Sequence, residues 1–271
     1  IKIDETFGDA HYNLAKLYKQ IGDPDAALST YEHLLTLNPE RQDALVNMGN
    51  IHFDNGSLEK AIVCLKKASM VNSGNNQLTD QAIINLANTY RRQGEDVRAI
   101  ETYERVLSIQ CYAGLRIKQA ITLPVVYRDH LHIKNVRQRL EKELAKIMDT
   151  NLVVLDPALE IAATNFFLTY QGLSNKTLQE KTAQVILKSC PALGFIAPHC
   201  YTVKSPDKKI KIGFLSAYFR RHSIGRLMQG LIHNISKDKF EVIVLTPCIH
   251  DDEIACSIQG DADKVVVFPD D

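Results

Sequence analysis

The stretch Asn13–Pro39, "NLAKLYKQIGDPDAALSTYEHLLTLNP", decides the fold of the first part of the chain. Gly22 divides it into two segments, each with apolar residues at helical spacing. Asp23 followed by Pro24 is typical of a helix start, because aspartate accepts bonds from free N–H groups and proline is tolerated in the first turn. The stretch therefore predicts a helical hairpin whose first helix ends at Gly22.

The same pattern recurs twice further along the chain. Small residues recur where two helices must approach closely, and large apolar residues recur between them. The positions of the first copy are Ala10, Asn13, Leu14, Tyr18, Gly22, Ala27, Tyr31 and Pro39. Their equivalents are Ala44, Asn47, Met48, His52, Gly56, Ala61, Leu65 and Ser73, and then Asn85, Leu86, Tyr90, Gly94, Ala99 and Tyr103.

This pattern resembles the tetratricopeptide repeat. The predicted repeats cover about residues 7–40, 41–74 and 79–111, within a domain of residues 1–111. Single repeats of this kind do not bury their apolar faces, so they stack into a solenoid with a concave groove.

Asn13, Asn47 and Asn85 occupy the same repeat position. An amide carries both a donor and an acceptor, so a ladder of amides is suited to holding the backbone of an extended polypeptide. These three residues are therefore candidate substrate-binding residues. The alternative is that the asparagines are simply solvated.

The repeat pattern fades after residue 111, although helices continue. We predict a helical adaptor and linker over residues 112–206. Its helices are expected in "HIKNVRQRLEKELAKIMD" (132–149), "DPALEIAATNFFLTYQG" (156–172) and "SNKTLQEKTAQVILKSC" (174–190), followed by a connection in "IAPHCYTVKSPDKK" (196–209).

Residues 207–271 change to a strand–helix rhythm. Strands are predicted at 210–217, 240–247 and 264–270, with helices at 224–235 and in "DDEIACSIQ" (251–259). This order favours the start of a parallel, doubly wound sheet with both helices on one face. The predicted fold class is therefore mainly α, a helical solenoid plus adaptor followed by the first part of a Rossmann-like α/β lobe.

His222 follows the first of these strands, beside Arg220 and Arg221. Ligands of such sheets bind beyond the carboxyl ends of the strands, and a helix N-terminus favours anions. No G-x-G-x-x-G pattern follows the strand, which argues against a conventional dinucleotide site.

The combination of the repeats with "NFFLTYQG", "LQEKTAQVILKSCPAL" and "IKIGFLSAYFRRHSIGRLMQG" resembles the glycosyltransferases related to protein O-linked N-acetylglucosamine transferase, especially bacterial members. The family pattern of a strand, a turn ending F-x-x-H and a helix with Leu-Met falls on Phe219, His222, Leu227 and Met228. Ser223 and the Arg220-Arg221 pair depart from the eukaryotic pattern.

The resemblance implies a GT-B enzyme that transfers N-acetylglucosamine from a UDP-sugar donor to Ser or Thr of proteins, without a metal. It implies that His222 is the active-site histidine and that Asn13, Asn47 and Asn85 line the acceptor groove. The family's second lobe binds the donor, so we expect this chain, ending at Asp271, to be inactive alone and to bind no cofactor itself. The alternative is a tetratricopeptide scaffold that binds proteins without catalysis.

Composition limits the other classes of function. The 32 basic and 32 acidic residues cancel, and the apolar runs are short, so neither nucleic acid nor a membrane is expected as a partner. Six cysteines without a Cys-x-x-Cys pair predict buried, reduced thiols in a cytoplasmic protein. Asp129-His130-x-His132, His199-Cys200 and "KSPDKKIK" are interpreted as a helix start, loop neighbours and a solvated linker. Oligomeric state stays open.

Overall fold

The computed structural model describes residues 7–72, 74–201 and 209–268. The chain divides into two compact units, Ile1–Phe195 and Ile196–Asp271. The first unit is helical within the described residues, and the second contains a small parallel sheet.

Three consecutive helical hairpins begin the first unit. Each pair of helices packs together, and α2 and α4 also pack on the first helix of the next pair. The helices are α1 Gly8–Gln20, α2 Pro24–Leu37, α3 Gln42–Asp54, α4 Leu58–Met70, α5 Asn76–Gln93 and α6 Asp96–Leu107. The predicted solenoid of three repeats is confirmed.

The turn between the helices of a hairpin follows the predicted chemistry. Asp23 Oδ1 accepts a hydrogen bond from the Ala26 N–H at 3.0 Å, at the start of α2. Gly22, Gly56 and Gly94 have φ values of 83°, 75° and 86°. Because residues with a Cβ rarely adopt this conformation, glycine ends the first helix of each hairpin without strain.

Small residues set the distance between the helices of a hairpin. Ala27, Ala61 and Ala99 are 0% exposed, as their recurrence predicted. A Cβ built on Gly49 lies 2.6 Å from Cγ of Leu65, which is closer than packed carbon atoms approach each other. The helices α3 and α4 therefore pack at a separation that only glycine permits at this position.

Four further α-helices lie in the described part of the first unit. They are α7 Ala113–Ile121, α8 His130–Met148, α9 Pro157–Glu160 and α10 Lys176–Ser189. One core joins them, and its buried members include Ile117, Ile121, Val136, Leu140, Leu144, Leu168, Leu178 and Val185. The helices α8 and α10 confirm the predictions over 132–149 and 174–190.

The prediction of one helix over residues 156–172 is wrong. Asp156 caps a helix as expected, but α9 lasts four residues. Ala162 has a φ of 44°, and a 3₁₀ helix, Phe166–Gln171, follows. Asn165 is buried and donates its amide N–H to Oγ1 of Thr182 at 3.1 Å, so a tertiary hydrogen bond competes with the continuation of the helix.

The second unit is built on three parallel strands in the order β1-β2-β3. The strands are β1 Ile210–Leu215, β2 Phe240–Thr246 and β3 Lys264–Val267, and they alternate with α11 Ser223–Asn234 and α12 Glu253–Asp261. The two helices pack on each other, as expected for helices that share one face. Their common core with the sheet consists of Phe219, Ile232, Val242, Val244, Ile254 and Ile258. The predicted α/β rhythm is confirmed.

The prediction of buried cysteines is wrong for most positions. Only Cys190 is buried, and Cys64 is partly buried. The prediction followed the average burial of free cysteine. It failed because the other four lie outside the packed faces, at Cys111, Cys200, Cys248 and Cys256.

Candidate functional site

The first helices of the repeats, together with α7, border a cavity of about 460 Å³, which we call the groove cavity. Because α3 and α5 are the first helices of successive repeats and α7 follows the last repeat, the cavity runs across several elements. Its wall is rich in amides and cations, including Asn50, Gln81, Asn85, Asn88, Arg91 and Lys118.

Hydrogen bonds orient the amides of this wall. Asn85 Nδ2 donates to Oδ1 of Asn50 at 2.8 Å, which joins α5 to α3. The hydroxyl of Tyr103 donates to Oδ1 of Asn88 at 2.7 Å. A side-chain amide has two donors and an acceptor with two lone pairs, so each asparagine keeps capacity for further bonds.

The three predicted ladder asparagines lie in different surroundings. Asn85 borders the groove cavity. Asn47 donates its amide N–H to the Tyr12 hydroxyl at 3.1 Å, and Asn13 is exposed on α1. The structure thus brings Asn85 together with Asn50 in this cavity, and the role of Asn13 and Asn47 in binding stays a prediction.

Lys118 is the most buried charged residue of the cavity wall, with 6% of its surface exposed. Burial and then the positive charge of Arg91 lower the pKa of its ammonium group to about 8. Among the described residues, no carboxylate forms an ion pair with it. A buried cation without a counterion is energetically costly, which indicates a role other than stability.

Arg91 contributes the second buried donor group. Its Nε is fully buried and has no hydrogen-bond partner within the described part of the chain. Its guanidinium also acts on Tyr103: burial raises the pKa of that phenol to about 12, while the charge of Arg91 and a hydrogen bond from it oppose the rise. Arg91 is thereby held beside the cavity by a neutral partner.

The second candidate site lies at the carboxyl edge of the sheet, in the loop between β1 and α11. His222 stacks on Tyr218, with ring centroids 4.6 Å apart. A Cβ built on Gly225 lies 2.1 Å from the carbonyl oxygen of Arg220, so this loop closes tightly on the first turn of α11. The structure therefore places His222 in a constrained turn at the position where the sequence predicted chemistry.

His222 is the N-cap of α11. Its Nδ1 accepts a hydrogen bond from the Ile224 N–H at 3.2 Å. Accepting this bond requires an Nδ1 without a proton, so a neutral His222 carries its proton on Nε2. In this arrangement Nε2 acts as a hydrogen-bond donor, and removing a proton from an acceptor hydroxyl would require the cap to break or the tautomer to change.

Asp252 joins the loops that follow β1 and β2. Its carboxylate accepts a hydrogen bond from the Arg221 N–H at 3.0 Å and caps α12 through the Ile254 and Ala255 N–H groups. Burial raises the pKa of Asp252, but these backbone N–H groups and the nearby His250 outweigh it, so the pKa is lowered. The ionised carboxylate therefore holds the His222 loop in place.

Several polar residues of these sites were missed by the sequence interpretation. Asn50 and Asn88 lie three residues after Asn47 and Asn85, so the repeat register itself carried the signal for them. Lys118 lies in α7, beyond the repeats, and no pattern marked it. In the loop after β2, Cys248 Sγ lies 3.2 Å from His250 Nε2, and no sequence pattern marked this pair.

The structure confirms that the motif Asp129-His130-x-His132 is a helix start, that of α8. Asp129 Oδ1 accepts a hydrogen bond from the His132 N–H at 2.7 Å.

In the parts of the chain that the structure describes, no three His, Cys, Asp or Glu side chains form a metal-ligand set. None of the described helices combines the length and apolar character that a membrane span requires. The side chain of His199 and most of "KSPDKKIK" lie outside the described residues.

Comparison with family models identifies the repeats. Residues 8–41 and residues 40–111 match models described as tetratricopeptide repeat. The solenoid thus consists of tetratricopeptide repeats, a class of repeat that generally binds protein partners. Comparison with curated proteins gives no match.

Several solved structures share parts of this fold at low sequence identity. An O-GlcNAc transferase variant of Thermobaculum terrenum is 16% identical with a TM-score of 0.47, over 98% of this chain and 42% of that chain. A MamA structure is 25% identical with a TM-score of 0.42, over 53% of this chain and 77% of that one. Pseudomonas aeruginosa pilF is 16% identical with a TM-score of 0.45, over 68% and 71%. Similarities this distant assign no function to the chain.

Proposed function

We propose that the repeat unit binds an extended segment of a partner protein in the groove cavity, mainly through the main chain of that segment. The observation that carries this proposal is the amide wall of the cavity, in which Asn50 and Asn85 are hydrogen-bonded across two successive repeats and Asn88 also borders the cavity. Amide groups pair with peptide N–H and C=O groups whatever the side chains are.

The dimensions of the cavity support this proposal. A volume of about 460 Å³ lies within the range of roughly 300–1,000 Å³ that is typical of ligand sites. The apolar surface of Phe53 also borders the cavity, and Arg92 covers its ring at 4.6 Å from the centroid. An extended segment would therefore meet an apolar contact at one point and amide groups at the others.

The test uses fluorescein-labelled peptides of roughly ten residues, which span about 33 Å when extended. Fluorescence anisotropy should detect binding of a Ser/Thr/Ala peptide and similar binding of its scrambled form. N-methylation of the central backbone nitrogens removes donors without changing side chains, and should weaken binding about tenfold or more. Equal binding of the methylated and unmethylated peptides would contradict main-chain recognition.

A matched variant tests the same wall from the protein side. The triple change Asn50→Ala, Asn85→Ala and Asn88→Ala should weaken peptide binding, whereas Asn135→Ala removes an exposed asparagine of α8 and should leave it unchanged. Circular dichroism and the melting temperature show whether the triple variant is folded. The N-methylated peptide needs no variant and decides the question if the triple variant is unstable.

A second function is proposed for the second unit, since His222 sits at the carboxyl edge of a parallel sheet. We propose that the chain is the amino-terminal portion of a UDP-sugar-dependent protein O-glycosyltransferase, with the repeats binding the acceptor. The resemblance of the F-x-x-H turn and the position of His222 in the loop after β1 support this. The alternative function, a tetratricopeptide scaffold, would use the same groove to bind a protein but would lack catalysis at His222.

The test of this second proposal is transfer of radiolabelled N-acetylglucosamine from its UDP donor to a Ser/Thr peptide by the longest protein that contains this chain. His222→Asn keeps a cap acceptor but lacks the imidazole, so it should lose most of the activity while keeping its melting temperature. Undiminished transfer by His222→Asn would remove His222 from the site. Absence of transfer by the unchanged protein would favour the scaffold.

A further inference from the structure

We infer that Lys118 and Arg91 form an anion subsite of the groove cavity, which takes a side-chain carboxylate of an acidic polypeptide segment. This inference rests on the proposed binding of a polypeptide in the same groove. It adds the charge of the partner, since the amide wall alone does not select one sequence over another.

Lys118 supplies the first argument. The side chain is more than nine-tenths buried and borders the cavity, yet it forms no ion pair with a carboxylate of the described residues. Its lowered pKa shows that the protein surroundings disfavour the charged ammonium. An anion that enters the cavity would supply the missing counter-charge and raise this pKa again.

Arg91 supplies an independent argument from the neighbouring helix. Its buried Nε is a donor without a partner in the described part of the chain, and buried donors of this kind are rare. A guanidinium also matches the planar geometry of a carboxylate. An incoming carboxylate is therefore suited to the two cations of the wall, since it would pair with the guanidinium of Arg91 where it borders the cavity and with the ammonium of Lys118.

Two carboxylates of the helices before α7 have other partners. Asp80 accepts a hydrogen bond from the Tyr112 hydroxyl at 2.9 Å. Glu104 pairs with Arg116 at 3.1 Å and accepts from the Gln119 amide at 2.6 Å. Asp54 also borders the cavity, but no ion pair between it and Lys118 is found among the described residues, and no carboxylate is among the causes of the pKa shift of Lys118.

The charges of the wall favour an anion, and its burial favours a carboxylate over a phosphate. Lys19 and Asp54 also border the cavity. With Lys118 and Arg91 they give three basic groups and one acidic group, so the wall attracts anions. Removing an ion from water costs more the higher its charge, so a singly charged Glu or Asp side chain enters this partly buried site at lower cost than a dianionic phosphate.

The experiment compares three labelled peptides of roughly ten residues that differ at one central position, which is Glu, Gln or phosphoserine. With the unchanged protein, the Glu peptide should bind about tenfold more tightly than the Gln peptide. Lys118→Met removes the charge at nearly constant size and should abolish this difference. Lys67→Met, an exposed lysine of α4 outside the cavity, should preserve it.

Calorimetry of the unchanged protein provides a readout that needs no variant. At pH 8, binding of the Glu peptide should be accompanied by proton uptake, measured in two buffers of different ionisation enthalpy. Binding of the Gln peptide should take up fewer protons. Lys118→Met should abolish the extra uptake, which a merely structural lysine would not change.

The outcomes separate this inference from the proposed function. Equal affinity for the Glu and Gln peptides would overturn the anion subsite and leave main-chain binding in place. Binding of neither peptide would overturn both. Tighter binding of the phosphoserine peptide than of the Glu peptide would overturn the assignment to a carboxylate.

Discussion

Lys118 of α7 and Arg91 of α5 border the same cavity, and within the described residues neither forms an ion pair with a carboxylate. The charge of Arg91 is one of the two causes that lower the pKa of Lys118. Two unpaired cations at one wall reduce the stability of the unliganded unit. This relationship makes the groove cavity the feature of the first unit that is most readily tested.

Lys118→Met should stabilise the first unit at neutral pH. The folded pKa of about 8 lies below the ordinary value of 10.5, so the cost of the charged lysine is fully present below pH 8 and is lost as pH rises to about 10.5. The variant should gain about 1–3 kcal/mol at pH 7 in urea unfolding. A gain that stays constant between pH 7 and pH 10 would contradict the lowered pKa.

Gly49→Ala should destabilise the repeats. Its new Cβ would lie 2.6 Å from Cγ of Leu65, so α3 and α4 would have to separate. We expect a loss of about 1–3 kcal/mol, measured by thermal unfolding. Gly230→Ala in α11 is the control, because no atom lies within 4 Å of its new Cβ and helix propensity favours alanine by about 1 kcal/mol.

His222→Ala should destabilise the second unit by about 1 kcal/mol, because the Ile224 N–H loses its cap acceptor. His222→Asn should restore most of this loss, since asparagine is a good N-cap residue. The melting temperature of each variant checks the prediction. Equal melting temperatures for the alanine and asparagine variants would show that the cap contributes little.

Asp252→Asn should remove an acid-dependent contribution to the stability of the second unit. The pKa of Asp252 is lowered on folding, so its stabilising effect is present above the ordinary value of 3.8 and is lost as pH falls through the folded pKa. The difference between the protein and the variant should therefore shrink in acid, as measured by unfolding at several pH values. A difference that grows in acid would have the wrong sign.

The periodic spacing of apolar residues and glycines along the sequence was sufficient to predict most of the fold. The helix ends at Gly22, Gly56 and Gly94 are local signals, since each glycine allows a backbone conformation that other residues adopt only with strain. The strand–helix alternation after residue 209 is also local, because each element carries its own apolar spacing. The segment 156–172 was mispredicted because its helical spacing yields to the buried bond between Asn165 and Thr182, two residues far apart in sequence.

The sequence by itself determined that three helical repeats precede an α/β segment and that His222 follows a strand. Repeat register and strand–helix order depend on side chains close together along the chain. Only the tertiary structure decided that Lys118 and Arg91 border one cavity and that Asn85 bonds to Asn50 in its wall. These arrangements depend on how α3, α5 and α7 stack. Stacking brings together residues whose separation along the chain follows no short period.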